Sequence, residues 1–191
     1  MKAKLIFNPF ERVAGFPALL SGWGFMLLTA GLAIPSGLRF DGVLDAHFYP
    51  GSEWWRPFAD QAVNWLVLVV VFALAALLFG RSKFRLVDVA GTLALARAPM
   101  LLASLAGLPG VVSSFFIETP RLDTNTLLTM PAFWITVVLA LLMIWATVWS
   151  AILIFNAWSI TANVRGTRAG VVYAFGLAVA EIGSKILIAH I

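Results

Sequence analysis

Long apolar runs alternate along the chain with short polar breaks, and five of the runs are long enough to cross a bilayer. They extend from about Phe16 to Leu38, Ala62 to Gly80, Val89 to Val112, Pro131 to Ser159 and Gly170 to Ile191. A hydrocarbon core about 30 Å thick needs about 20 mostly apolar residues per helix, and each run meets that length. The second, containing WLVLVVVFALAALLFG, is the cleanest. In the fourth, the uncharged stretch from Pro131 to Phe155 alone gives about 37 Å of helix, so it is expected to tilt or overhang the core. The pattern predicts an all-α, polytopic membrane protein: one transmembrane domain over residues 1–191, built as a bundle of about five helices, with a short interfacial segment over 1–15.

Composition points the same way. The 191 residues are 61% hydrophobic and 12% charged, with a mean hydropathy of +0.95, which leaves too little polar surface to cover a water-soluble globule. The leading lysines are followed by only three apolar residues before Asn8 and Pro9, so no cleaved signal is expected. The stretch FNPFERVAGF reads either as a short interfacial helix or as a plain lead into the first span. In the helical reading Asn8 caps, Pro9 takes the first helical position, Glu11 follows three residues after the cap, and Phe7 and Phe10 face lipid. With no cysteine, disulfides, thiolate metal sites and cysteine nucleophiles are excluded. There is no internal repeat, low-complexity tract or domain-separating linker.

The net charge of +4 matters less than its placement. Lys2, Lys4, Arg12, Arg81, Lys83, Arg85, Arg165 and Arg168 fall on one side of the five spans, whereas Arg39, Arg56 and Arg121 fall on the other. The positive-inside rule then puts the N-terminus in the cytoplasm and the C-terminus outside. The basic balance is read as topology, and no nucleic-acid partner is expected.

Two basic residues remain inside the spans, Arg97 and Lys185, together with the acidic Glu181 and a proline, Pro99. An arginine at mid-membrane costs at least about 2.5 kcal/mol, so it must face protein or water. Arg97 lies about 14 Å and Glu181 about 16 Å from the cytoplasmic ends of their spans. Their depths match, and a direct Arg97–Glu181 pair is expected, with Lys185 as a second contact one turn from Glu181. Pro99 releases the carbonyl of Leu95 and is expected to kink the third helix within the bundle. Such a pair either fixes packing register or marks an ion or substrate path. Small residues recur every four positions on the third span, at Ala90, Ala94 and Ala98, and on the fifth, at Gly176, Ala180 and Ser184, favouring close helix packing.

In the first outer loop, Asp41 and Asp45 would share a face if DGVLDAHF were helical. Their oxygens make them weak candidates for calcium or magnesium, while a solvated acidic loop with Asp41 as a helix cap, anchored by Trp54 and Trp55, is the commoner arrangement. Asp60, Asn64, Asp88 and Asn156 are candidates for polar crevices opening at either side, although such residues more often bond to neighbouring helices. No phosphate-binding glycine loop, paired histidines or Gly-x-Ser-x-Gly occurs, and no histidine base accompanies the intramembrane serines and threonines. A non-enzymatic protein without a cofactor is expected.

The segments FNPFERV, RFDGVLD, LVDVAGTLALARAPMLLASLAG and VRGTRAGVVYAFGLAVAEIGSKI, in this order around five spans, resemble the Yip1 family, particularly its short prokaryotic members. The likeness runs from about Phe7 to Lys185. It implies a compact five-helix protein of a bacterial inner membrane, working among membrane lipids as a homo-oligomer or with a protein partner. Eukaryotic relatives carry a longer cytoplasmic N-terminal region and act in vesicle trafficking with Rab GTPases; this sequence contains neither that region nor the Asp-Leu-Tyr-Gly-Pro type motif. The expected function is therefore helix-mediated association, as a scaffold, trafficking or bilayer-organising factor. The alternative is a small transporter or channel for an ion, proton or lipid that uses Arg97, Glu181 and Lys185.

Overall fold

The computed structural model describes residues 6–49, 51–80, 83–108, 112, 115 and 124–191. Of the charges used above for topology, Lys2, Lys4, Arg81 and Arg121 lie outside the described residues. The chain is an all-α polytopic bundle with five helices long and apolar enough to span a membrane. In chain order the helices are α1 (Gly15–Ser36), α2 (Arg56–Phe79), α3 (Leu86–Leu95), α4 (Met100–Gly107), α5 (Thr124–Thr129), α6 (Pro131–Thr161) and α7 (Gly166–Ile188); α3 and α4 together form the third span.

Local chemistry sets the ends of these helices. Gly37 closes α1 in the left-handed region at φ 66°, returning its N–H to Ala33 and Ile34. Prolines open α2 and α6, where the missing N–H has no helical partner to lose. The second span begins at Arg56 rather than Ala62 because Pro57 starts the helix before the apolar run does. As expected from its length, α6 is the longest element; its 31 residues give about 46 Å of helix.

The third span is central. In its most apolar stretch 72% of the residues are buried, against 22–33% in the other four spans. Around it, Phe72 of α2 lies 5.7 Å from Trp158 of α6 and stacks 5.8 Å from Tyr173 of α7, joining three spans through one ring. Gly176, Ala180 and Ser184 are all buried, and Gly176 packs against the Phe72 ring. The closest backbone approach is between the first and third spans. A Cβ at Gly22 would overlap the backbone of Ala94 and Leu95, and one at Gly91 would overlap the carbonyl of Gly15.

The chain alternates direction, so residues 37–55 lie at the same end as the C-terminal end of α7, called outer here after the charge pattern. In the N-terminal lead a short helix starts where one reading expected it, after Asn8 and at Pro9, but it is a single 3-10 turn, Pro9–Glu11. Asn8 makes no side-chain cap, and Phe10 is buried in the core instead of facing lipid. The lead is drawn onto α6 by Trp149, which donates to the Ile6 carbonyl at 3.1 Å, and by Asn156, which donates to that of Phe7 at 2.7 Å.

Candidate functional site

The outer segment between α1 and α2 enters the bundle. It forms a short antiparallel hairpin, β1 (Leu38–Arg39) with β2 (His47–Phe48), pairing Leu38 with Phe48 and Arg39 with His47. Residues 41–46 are bends and irregular chain, so the helical reading of DGVLDAHF and the capping role of Asp41 are corrected. Leu38, Phe40 and Val43 are at most 1% exposed, placing non-helical backbone among the helices. Such backbone is tolerated at membrane depth only where its polar groups are satisfied by protein or water.

The buried polar side chains do that work. Asp60 accepts two hydrogen bonds from Arg39, Nε at 2.9 Å and Nη2 at 2.6 Å. One turn on, Asn64 donates to the Phe40 carbonyl at 2.7 Å. Arg97, 1% exposed, donates through Nη1 to the Val43 carbonyl at 3.0 Å and through Nε to Gln61 Oε1 at 3.1 Å. From the opposite side Glu181 Oε2 accepts the N–H of Leu44 at 2.9 Å. The carbonyl of Val43 and the N–H of Leu44 belong to one peptide group and point in opposite directions across it. The cation therefore sits at the negative end of that peptide dipole and the anion at its positive end.

This geometry corrects the expected direct pair. Arg97 and Glu181 reach the same region from the third and fifth spans, but they form no ion pair; the Val43–Leu44 peptide lies between them. The ion-pair partner of Glu181 is Lys185, with Nζ 3.6 Å from Oε1. Lys185 also bonds to Asp45. Gly42 lies directly against this carboxylate, so a Cβ there would displace Glu181 Oε1.

Pro99 interrupts the third span, as expected, and the interruption is a four-residue turn from Ala96 to Pro99. Within it the bonds tighten to three-residue spacing, including Ala98 N–H to the Leu95 carbonyl at 3.0 Å and Met100 N–H to that of Arg97 at 2.9 Å. Ser150 of α6 donates to the Ala96 carbonyl at 2.9 Å, so a neighbouring helix supplies a partner at the break.

The four crevice candidates do not come together. Asp60 and Asn64 are fully buried against the outer loop. Asp88 lies at the inner end, where a Cβ on Gly15 would stand 3.1 Å from its Oδ1, and Asn156 binds the N-terminal lead.

At the mouth of the loop, Asp41, Asp45 and His47 can bring one ligand atom each within 4.8 Å of one another. His47 Nδ1 is 2.9 Å from Asp41 Oδ1 and 4.0 Å from Asp45 Oδ1. These groups are matched internally. The hydrogen bond to Asp41 raises the His47 pKa above its usual 6.5, outweighing burial. Burial would raise the Asp45 carboxyl, but the bond from Lys185 and the nearby His47 hold it below the ordinary carboxylate value. Likewise the Arg39 guanidinium is raised by its bond to Asp60.

Arg39, Gln61 and the Val43–Leu44 peptide were not singled out from sequence. The polar set Asp60, Gln61 and Asn64 within an otherwise apolar span was the available signal for Gln61, since those positions share one helix face. No family model, curated protein or solved structure matches the chain.

Proposed function

We propose that this multi-pass integral membrane protein is non-enzymatic and Yip1-like, resident in a bacterial cytoplasmic membrane. It works by helix-mediated association with a second copy or a protein partner, as a membrane scaffold, trafficking or bilayer-organising factor. The use of the buried charges carries this reading: Arg97 and Glu181 both bind the backbone of an inserted loop, and Lys185 binds Asp45, whereas a transport path needs charges that face a passage. An associating surface is available on α6, where exposed Trp134, Val138, Leu141, Trp145, Val148 and Ile152 follow the alternating four-and-three spacing of a helix–helix seam.

Because the chain has no cysteine, single cysteines report contacts without background. Leu141→Cys in native membranes should give a discrete cross-linked adduct, and Phe175→Cys on lipid-facing α7 should not. Purified protein in proteoliposomes should pass no ion or lipid reporter above empty vesicles. A protein that stays monomeric at every lipid-facing cysteine would overturn association, and flux abolished by Glu181→Gln in a folded protein would replace it with transport.

A further inference from the structure

A cavity of about 520 Å³ lies under the outer loop, between that loop, α4 and α6. This is within the ~300–1,000 Å³ typical of small-molecule sites. Its floor and walls are apolar, including Leu44, Phe48, Ala103, Ala140 and Met143. Thr147, also in the wall, donates its hydroxyl to the Met143 carbonyl at 3.1 Å and so makes no demand on an occupant. Ile144 lines the cavity and is 59% exposed, so the space opens sideways toward the acyl chains of the bilayer.

The upper rim is different. Asp45 and His47 line the cavity and also belong to the charged cluster with Asp41, Glu181 and Lys185. Asp41 and Asp45 there are paired with His47 and Lys185, so the rim presents both signs side by side. A headgroup with an ammonium and a phosphate complements both signs, whereas one carrying only negative charge complements one. The ammonium fits Asp41 and Asp45; the phosphate fits Lys185 and His47, whose Nδ1 alone is engaged by Asp41. A primary ammonium, unlike a quaternary one, can donate hydrogen bonds to the carboxylates.

We propose that this cavity is a site for a phosphatidylethanolamine of the outer leaflet, with an acyl chain in the apolar slot and the headgroup on the Asp41, Asp45, His47 and Lys185 cluster. The site lies on α6 next to the association seam and shares Val148 with it, but its lipid binding is read on the isolated protein and does not rest on the associating function.

The test is lipid exchange into delipidated full-length protein in detergent, read by native mass spectrometry with phosphatidylethanolamine, phosphatidylcholine and phosphatidylglycerol of matched chains. Phosphatidylethanolamine should bind stoichiometrically and about tenfold more tightly than phosphatidylcholine, the equivalent of one charge-assisted hydrogen bond. Ala140→Trp, which fills the slot from the lipid-facing helix, should abolish binding of all three lipids. Asp45→Asn should erase the preference for ethanolamine over choline while leaving the slot open. Equal binding of the three lipids, preference for phosphatidylglycerol, or undiminished binding by folded Ala140→Trp would each overturn the proposal. Thermal unfolding of the lipid-free variants identifies any that are simply misfolded; in that event Thr147→Phe repeats the slot test and Lys185→Gln the headgroup test, with the same outcomes deciding.

Discussion

The two ends of the bundle solve one problem differently. At the outer end a twelve-residue stretch, Leu38 to Tyr49, carries polar backbone into the helices, and side chains from three spans are needed to satisfy it. Toward the inner end the first and third spans exclude anything between them, because Gly22 and Gly91 let the backbones meet. The contrast teaches what an intramembrane charge is for in this fold. Charge is present where irregular backbone enters, and small residues suffice where helix packs directly on helix.

The largest effect is expected from breaking the outer arrangement. Arg97→Leu removes the donor to the Val43 carbonyl and to Gln61 Oε1 and takes away the cation across the peptide from Glu181, whose pair with Lys185 remains; at about 1–3 kcal/mol for each buried acceptor left unpaired, stability should fall by about 2–6 kcal/mol in a reversible detergent unfolding titration. Adding Glu181→Gln should recover part of that loss. Strict additivity of the two changes would mean that the peptide does not couple them.

Breaking the inner arrangement should cost less. Gly91→Ala forces α1 and α3 apart, with a loss of about 1–3 kcal/mol from overpacking. If Gly91→Ala were neutral while Arg97→Leu was severe, the close helix approach would carry little of the stability. Ser150→Ala removes the donor to the Ala96 carbonyl at the broken span and should cost only about 0.6 kcal/mol, typical of hydrogen bonds between membrane helices.

The smallest effect should be a pH dependence confined to the outer end. Because His47 is raised above 6.5 in the folded protein, its contribution is fully present below that value and is lost as pH rises through the raised one. Amide exchange in the 41–49 loop should therefore quicken as pH rises above about 6.5, after correction for intrinsic exchange, with Asp41, Asp45 and Lys185 as the facing charges. His47→Gln should flatten this response, and the inner end should show none. A parallel response around Gly91 would show that the two ends are not separate.

The spans were legible in sequence because length and hydropathy alone decide them. The depth of Arg97 and Glu181 was legible too, since helical rise converts residue number into distance. What stood between them was not, because a peptide group has no side-chain signature and the loop reaches it only through contacts separated by 54 and 137 residues. Phe10 was misjudged for a related reason. Its burial depends on Trp149 and Asn156 drawing the lead onto α6, which no local pattern announces. Pro99 was readable because proline acts on its own helix; the help from Ser150 was not, because it comes from another.

The Val43–Leu44 peptide also imposes an order on assembly. One of its groups is held by the third span and the other by the fifth, so the segment leaves the ribosome long before its second holder exists. Until α7 inserts, the Leu44 N–H has no carboxylate and Arg97 has no distant counter-charge. Docking of the first outer loop is therefore completed only once α7 is made, and a chain truncated before Glu181 would display an unfastened loop.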